Sequence, residues 1–387
     1  MEQHVYRHAL EMVRLGHTLQ LYTQPPDPGL PPAGFRWPEG VQHHYLNYHV
    51  VKFLRRNSIP DRLVNYPWFS WRLAGRIPKL VPLPQVVYCQ GMAGFGYAVK
   101  PLPGVPLVLN PQGMEEFKNK SRAKQLAYAP VRAMLRYTAK RSAAVIATDR
   151  ALIPEVMRYL KVSEDKVCLI PNAVDLETLD QRLAETELED VSIAQEDLLI
   201  LSVGRLEENK GLEVGLAALK RLAVAGDLPE KWRWVIVGKG SLREQLEAEA
   251  ARLGLAEHVT LAGALPDKEL YGLYKQADLF LHPTLYEGSS LVTLEAMGAG
   301  LPVVASAAGG LPDKIIESGP DGNGRLAKPG DPVDLALKLG QLIGMTAEDR
   351  RRLGENGRRL VEKGFSWPVV GQATVALYER LIRAKAR

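Results

Sequence analysis

The stretch LHPTLYEGSSLVTLEAMGAGLPVVASAAGGLPDKI, residues 281–315, decides the architecture. It opens on the end of an apolar run, Leu279–His282, of strand length. Glu287-Gly288-Ser289-Ser290 then leads a helical pattern over Ser289–Met297. A second apolar run, Pro302–Ala305, passes into Ala307-Ala308-Gly309-Gly310. Strand, helix, strand and glycine turn in that order belong to a parallel, doubly wound sheet. Ligands of such sheets sit at the carboxyl ends of the strands.

Ser289 or Ser290 can cap this helix by accepting a backbone hydrogen bond. The first-turn amides and the helix dipole then offer a site for an anion. Gly288 lets a ligand approach the backbone closely. Glu287 and Glu295 stand eight positions apart, placed to hold hydroxyls on either side of a phosphate at the helix start. Paired carboxylates of this kind suit ribose or hexose. The plain alternative is one acid favoured by the helix dipole and one surface acid. Leu294, Ala296 and Met297 read as buried, so an acid at 295 needs a reason.

Working outward, the same rhythm continues. Leu198–Val203 is a continuous apolar strand running into VGRLEENKG (203–211), and Gly211–Val224 is a helix. Arg205 and Lys210 therefore emerge at the carboxyl edge, where two cations can hold a diphosphate. Trp232–Val237 is a strand ending in Gly238-Lys239-Gly240, followed by a helix over Ser241–Leu253. Val259–Ala262 reads as a strand and Lys268–Gln276 as a helix. In the first half, Val5, Ala9, Met12 and Val13 share a helical face. Leu19–Tyr22 is a short strand, and Pro25–Pro38 a proline-rich loop. Further strands are expected at Gln85–Cys89, Pro106–Asn110, Ala143–Ala147 and Lys166–Ile170.

The span from Asp175 to Asp190 holds seven acids and breaks the rhythm. Four segments follow. Residues 1–175 form a first α/β domain, 176–197 a linker, 198–365 a second α/β domain, and 366–387 a long amphipathic final helix.

Composition excludes several classes. Charged residues are 24% and hydrophobic residues 46% of 387, the balance of a globular protein with room for two cores. No apolar run reaches the ~18–20 residues of a membrane span. The amino terminus is too polar for a secretory signal. Cys89 and Cys168, the two cysteines, make neither a disulfide framework nor a zinc motif, which fits a cytoplasmic protein. A net charge of +5, with no nucleic-acid motif, points to no nucleic-acid partner. Between Lys52 and Lys79, however, Arg55, Arg56, Arg62, Arg72 and Arg76 stand among Phe53, Tyr66, Trp68, Phe69 and Trp71. A second basic cluster follows at Lys118, Lys120, Arg122 and Lys124. Such stretches suit the inner face of an anionic membrane, or a solvated face over an aromatic core.

The four loops, in this order at successive strand ends, resemble those of the retaining glycosyltransferases of family 4. The likeness covers nearly the whole chain. It is carried by 281–315, which is similar to the family's E-x(7)-E segment, and by VGRLEENKG, VGKGS (237–241), IPNAVD (170–175) and FSW (365–367). It implies a GT-B fold, two Rossmann-like domains facing a cleft, with the final helix bracing the first. It implies transfer of a sugar from a nucleotide diphospho-sugar to a saccharide or lipid-linked acceptor, with retention and with no cofactor. Arg205, Lys210 and Glu287 would be catalytic. Gly204, Gly238, Gly288, Ser289, Ser290, Leu291 and Glu295 would complete the donor site. The chain contains no D-x-D, so a metal-held diphosphate is not expected.

Two departures from the family stand out. The family opens with a strand and a glycine-rich loop, whereas this chain begins within the helix that should follow. A central strand of the first sheet is therefore expected to be absent, through a misplaced start or a truncated chain. Where the family often places histidines, Gln90 and Gln112 stand, expected as acceptor or sugar contacts. Two other functions use the same parts: a nucleotide-sugar epimerase, and a sugar-nucleotide-binding relic without activity.

Overall fold

The computed structural model describes residues 2–24, 36–47, 49–51, 54, 58–111, 114–118, 121–186 and 198–386. These form two compact units, Met1–Ile170 with Val370–Arg387, and Pro171–Val369.

The first unit contains β1 (Leu19–Thr23), β2 (Val41–Tyr45), β3 (Val87–Gln90), β4 (Leu107–Asn110), β5 (Ala144–Ala147) and β6 (Val167–Leu169). Among the described residues β1 and β2 form a parallel pair, and β3 to β6 a parallel sheet in sequence order. β4 and β5 are buried throughout and apolar but for Asn110 at the end of β4, as strands covered on both faces are. One face packs on Val131, Leu135 and Ala139 of the helix Ala129–Arg141. The other packs on Leu377, Tyr378 and Leu381 of the final helix, Trp367–Ala386.

The second unit contains β7 (Leu198–Val203), β8 (Trp232–Val237), β9 (Val259–Gly263), β10 (Leu279–His282), β11 (Val303–Ser306) and β12 (Gly324–Ala327). All pair in parallel, in the order β12-β11-β10-β7-β8-β9. The order reverses between β7 and β10, and ligands of doubly wound sheets bind in the crevice at that reversal. Separate apolar clusters cover the two faces. In one, Trp234 is fully buried beneath Gly215 of the helix Leu212–Ala225, where a Cβ would meet its indole ring within 3.2 Å. Burying such a side chain contributes about 2–3 kcal/mol.

One segment departs from its sequence reading. The expected linker at 176–197 begins as a helix, Leu176–Glu185, within the second unit. Asp175 caps it, accepting from the Thr178 amide at 3.2 Å. Leu176, Leu179 and Leu183 share one face (i, i+3, i+7), and Leu176 and Leu183 pack onto the core of the second sheet. The acids Glu177, Asp180 and Glu185 are exposed. High acid content hid a short amphipathic period. The rest of that span, 187–197, lies outside the described residues.

Candidate functional site

The site begins with β7 and its turn. The alkyl chain of Lys210 lies over Gly204, whose added Cβ would stand 3.8 Å from Lys210 Cε. A Cβ on Gly238 would overlap the Gly204 carbonyl oxygen. The turn after β8 therefore stacks directly on the turn after β7, and only glycine permits it. The Leu206 amide donates to the Lys239 carbonyl at 3.0 Å, and the Leu242 amide to the Leu206 carbonyl at 3.1 Å. Arg205 is exposed. Gly204, Arg205, Lys210 and His282 line one shallow recess at the reversal of strand order.

Asn209, in the same turn, fixes the loop after β10. Its carbonyl accepts from the Leu285 amide at 2.9 Å and from Thr284 Oγ1 at 2.8 Å. This clamp brings Glu287 to Lys210. Glu287 Oε2 accepts from Lys210 Nζ at 2.6 Å and pairs with His282 Nε2 at 3.0 Å. Its Oε1 accepts from the Gly288 amide at 3.1 Å. Burial alone would raise the Glu287 carboxyl. The His282 hydrogen bond and the Lys210 charge outweigh it and hold the group near 2, so Glu287 is ionised at neutral pH. His282 is buried, and burial lowers its pKa while Glu287 pulls it back up. A neutral imidazole facing an ionised carboxylate must carry its proton on Nε2.

Ser290 caps the helix Leu291–Gly298, accepting from the Thr293 amide at 3.4 Å and from Thr293 Oγ1 at 2.9 Å. Its hydroxyl lies 3.4 Å from His282 Nε2. The capping serine is thus tied into the Lys210–Glu287–His282 network. Leu291 opens the helix at the surface, with Ser289 and Gly288 just before it. A Cβ on Gly288 would meet no atom within 4 Å, so protein packing does not require glycine there. At Gly309 the reverse holds: φ is +55° and a Cβ would overlap the Glu287 carbonyl oxygen. The Gly310 amide donates to the Gly288 carbonyl at 2.9 Å, locking the turn after β11 onto the loop after β10.

Glu295 is different. Burial raises its carboxyl to about 7, partly opposed by the hydroxyl of Tyr274. At neutral pH Glu295 is poised between charged and neutral, beside Tyr271 and Tyr274.

The structure thus joins Gly204, Arg205, Lys210, Gly238, Glu287, Gly288, Ser289 and Ser290 at one sheet edge. Glu295 lies further along the same helix as Leu291. Gln90 ends β3 in the first unit, in register with Asn110 of β4, while Gln112 lies outside the described residues. Sequence reasoning missed His282, Asn209 and Lys314. Only His282 carried a signal, a polar residue closing the apolar strand LFLH. Among the described residues no group of three or more His, Cys, Asp or Glu could hold a metal ion.

Comparison with known proteins follows the two halves. Residues 1–178 match the Glycosyltransferase Family 4 model, and residues 184–360 the Glycosyl transferases group 1 model. An MMP alpha-(1->4)-mannosyltransferase of Mycolicibacterium hassiacum is 33% identical over 250 residues, 64% of this chain and 57% of that protein. The matched stretch thus spans less than two thirds of that relative's length. A D-inositol 3-phosphate glycosyltransferase of Xylanimonas cellulosilytica is 27% identical over the whole chain and 92% of its own length. The solved sucrose-phosphate synthase of Thermosynechococcus elongatus superposes with a TM-score of 0.78 at 21% identity, over 98% of this chain and 93% of that one. At that identity the likeness is one of fold, and the fold is GT-B. With a model on each half, the chain belongs to the family 4 glycosyltransferases, and its second half is their group 1 domain.

Proposed function

We propose that the protein transfers a sugar from a nucleotide diphospho-sugar to a saccharide or lipid-linked acceptor, with retention and without a metal. The observation that carries this reading is the Lys210–Glu287–His282 network beside the helix start at the strand-order reversal. Lys210, Arg205 and the first-turn amides face an anion, and Glu287 faces hydroxyls. Glu295, half neutral in its buried setting, suits the ribose hydroxyls.

In the reaction the bond from the anomeric carbon to the diphosphate oxygen breaks and a bond to the acceptor oxygen forms. The acceptor's proton passes to the leaving diphosphate. Negative charge grows on that diphosphate in the transition state, so cations and amides aimed at it lower the barrier. Retention follows when the acceptor attacks from the leaving group's own face. The acceptor is taken to lie at an anionic membrane surface. This is supported by the helix Ile59–Arg76, where Val64, Trp68 and Trp71 are 42%, 47% and 44% exposed along one face.

Thermal melts with UDP, GDP and ADP and their common sugars, in chelator, test the donor reading. A ligand at ~100 times its dissociation constant should add about 2.7 kcal/mol. A shift with one nucleotide, lost in Glu295→Ala, is expected. No shift with any of them, or a shift that needs added metal, would overturn the reading or its metal independence respectively. Proton NMR of the product's anomeric configuration decides retention.

A further inference from the structure

Lys210, Glu287 and His282 form one hydrogen-bonded cluster, but they differ in what can reach them. The side chains of Lys210 and Glu287 are each 15% exposed, and that of His282 is 4% exposed. A ligand in the recess meets the ion pair first, and the imidazole backs it. The ring is pinned. It ends β10, which lies between β7 and β11 in the sheet, and pairs in register with Ala305. It stacks on Phe280, with ring centroids 6.1 Å apart. The Leu281 carbonyl just before it accepts from Ser202 Oγ of β7 at 2.5 Å.

Both contacts fall on the same carboxylate oxygen, Glu287 Oε2: Lys210 Nζ at 2.6 Å and His282 Nε2 at 3.0 Å. They cease to be equivalent once an anion arrives. Lys210 is an ammonium on a flexible stem, and a diphosphate at the strand edge draws it. The same diphosphate repels Glu287, since like charges at close range disfavour one another. Held by Lys210 alone, the carboxylate that the sugar needs would loosen as the phosphate part of the site fills. His282 has no such conflict. Its neutral ring donates from Nε2 without carrying a charge for the diphosphate to attract. A hydrogen bond to an ionised acceptor is among the stronger ones, and this one is anchored in a strand. The same Nε2 faces Ser290 Oγ, the cap of the neighbouring helix, at 3.4 Å. The carboxylate and the helix start thus share one fixed reference.

We propose that His282 is a positioning residue for the donor's sugar: it keeps Glu287 aimed at the sugar hydroxyls while the diphosphate takes Lys210. This rests on the nucleotide-sugar reading above. It adds a residue whose loss is felt by the sugar and not by the nucleotide, whereas a purely structural role would touch both.

The test is calorimetric binding to the full chain of UDP, GDP and ADP and of their glucose and mannose conjugates. Wild type is compared with His282→Leu, His282→Gln, Glu287→Gln and the pair His282→Leu with Glu287→Gln. Leucine fills space without a donor, and glutamine returns an N–H at similar reach. In His282→Leu the nucleoside diphosphate should hold within about twofold while its sugar conjugate weakens about tenfold, one charge-assisted hydrogen bond's worth. His282→Gln should recover most of that loss. The pair should bind the conjugate no worse than Glu287→Gln alone, because His282 acts through Glu287. An equal loss for nucleotide and conjugate, or losses that multiply in the pair, overturns the proposal. So does failure of both His282 variants to fold, which would make the ring a folding requirement. Wild type that binds no nucleotide, or no sugar conjugate of the one it binds, sinks the donor reading itself; wild-type binding with indifferent His282 variants sinks only the role of His282.

Discussion

Glu287 and Glu295 are the same residue type eight positions apart, yet one is held near 2 and the other near 7. Both are desolvated; only Glu287 has a cation and an imidazole N–H as compensation. The signs of their contributions are therefore opposite. Glu295 has a folded value above its ordinary 4.5. Ionising it in the fold is unfavourable, and stability falls as pH rises from about 4.5 to 7. Glu295→Gln should leave stability unchanged at about pH 4 and raise it by about 3 kcal/mol at pH 8. Glu287 has a depressed value, so its stabilisation is present above about 4.5 and is lost as pH falls through 2. Glu287→Gln should cost about 2–3 kcal/mol at pH 7, fading toward pH 2. Urea melts of wild type and both variants across that range measure this. Parallel pH curves for the two variants would contradict the opposed environments.

At the scale of turns and helices, two glycines of the site make a contrast. Gly309 sits at φ +55°, and a Cβ there would overlap the Glu287 carbonyl. Gly309→Ala should cost about 1–3 kcal/mol and push the Glu287 loop out of register with Lys210. Gly288 has open space where its Cβ would go. Gly288→Ala should leave the melting temperature nearly unchanged and still weaken nucleotide binding, because the methyl would meet the ligand. Melting curves paired with binding titrations separate the two. A Gly288→Ala variant with full affinity would show that no ligand reaches that backbone.

These turns were legible in the sequence because a close backbone approach demands glycine and leaves it visible at a strand end. The strands of the second sheet were legible for a similar reason: burial on both faces leaves runs such as LLILSV and WRWVIV. Other elements left weaker marks. β2, reading VQHHY, is edge-like and polar, with its side chains engaged in pairs such as Thr23–His43. The helix Leu176–Glu185 hid its apolar face among acids. Lys314 left no mark, since only the tertiary meeting of two turns buries it. The site's outline follows local chemistry, while its electrostatic detail depends on contacts between residues as far apart as Lys210 and Glu287.

Across the whole molecule the net charge of +5 conceals a division. The first unit holds 27 basic and 12 acidic residues, and the second 22 and 32. A field that strong on one unit is a long-range attraction for an anionic surface. In the proposed membrane contact the helix Ile59–Arg76 would supply the local surface: Trp68 and Trp71 are exposed, Lys100 Nζ stands 5.0 Å from the Trp71 ring centroid, and Arg76 and Lys79, at and just past the helix end, are exposed. Arg55 and Arg56 lie outside the described residues. Indole rings favour the lipid headgroup level, and each basic residue near an anionic leaflet adds about 1 kcal/mol. Reversing Arg76 and Lys79 to glutamate replaces two attractions with two repulsions, so binding to vesicles containing phosphatidylserine should fall by about two to three orders of magnitude. Trp68→Ala with Trp71→Ala should weaken binding in both low and high salt, because its loss is apolar. Flotation of the full chain with phosphatidylserine vesicles and with phosphatidylcholine vesicles measures both effects. Equal binding to the two lipids would remove the electrostatic part. No wild-type binding to either would place the acceptor away from the membrane, leaving the first unit's charge for an anionic saccharide.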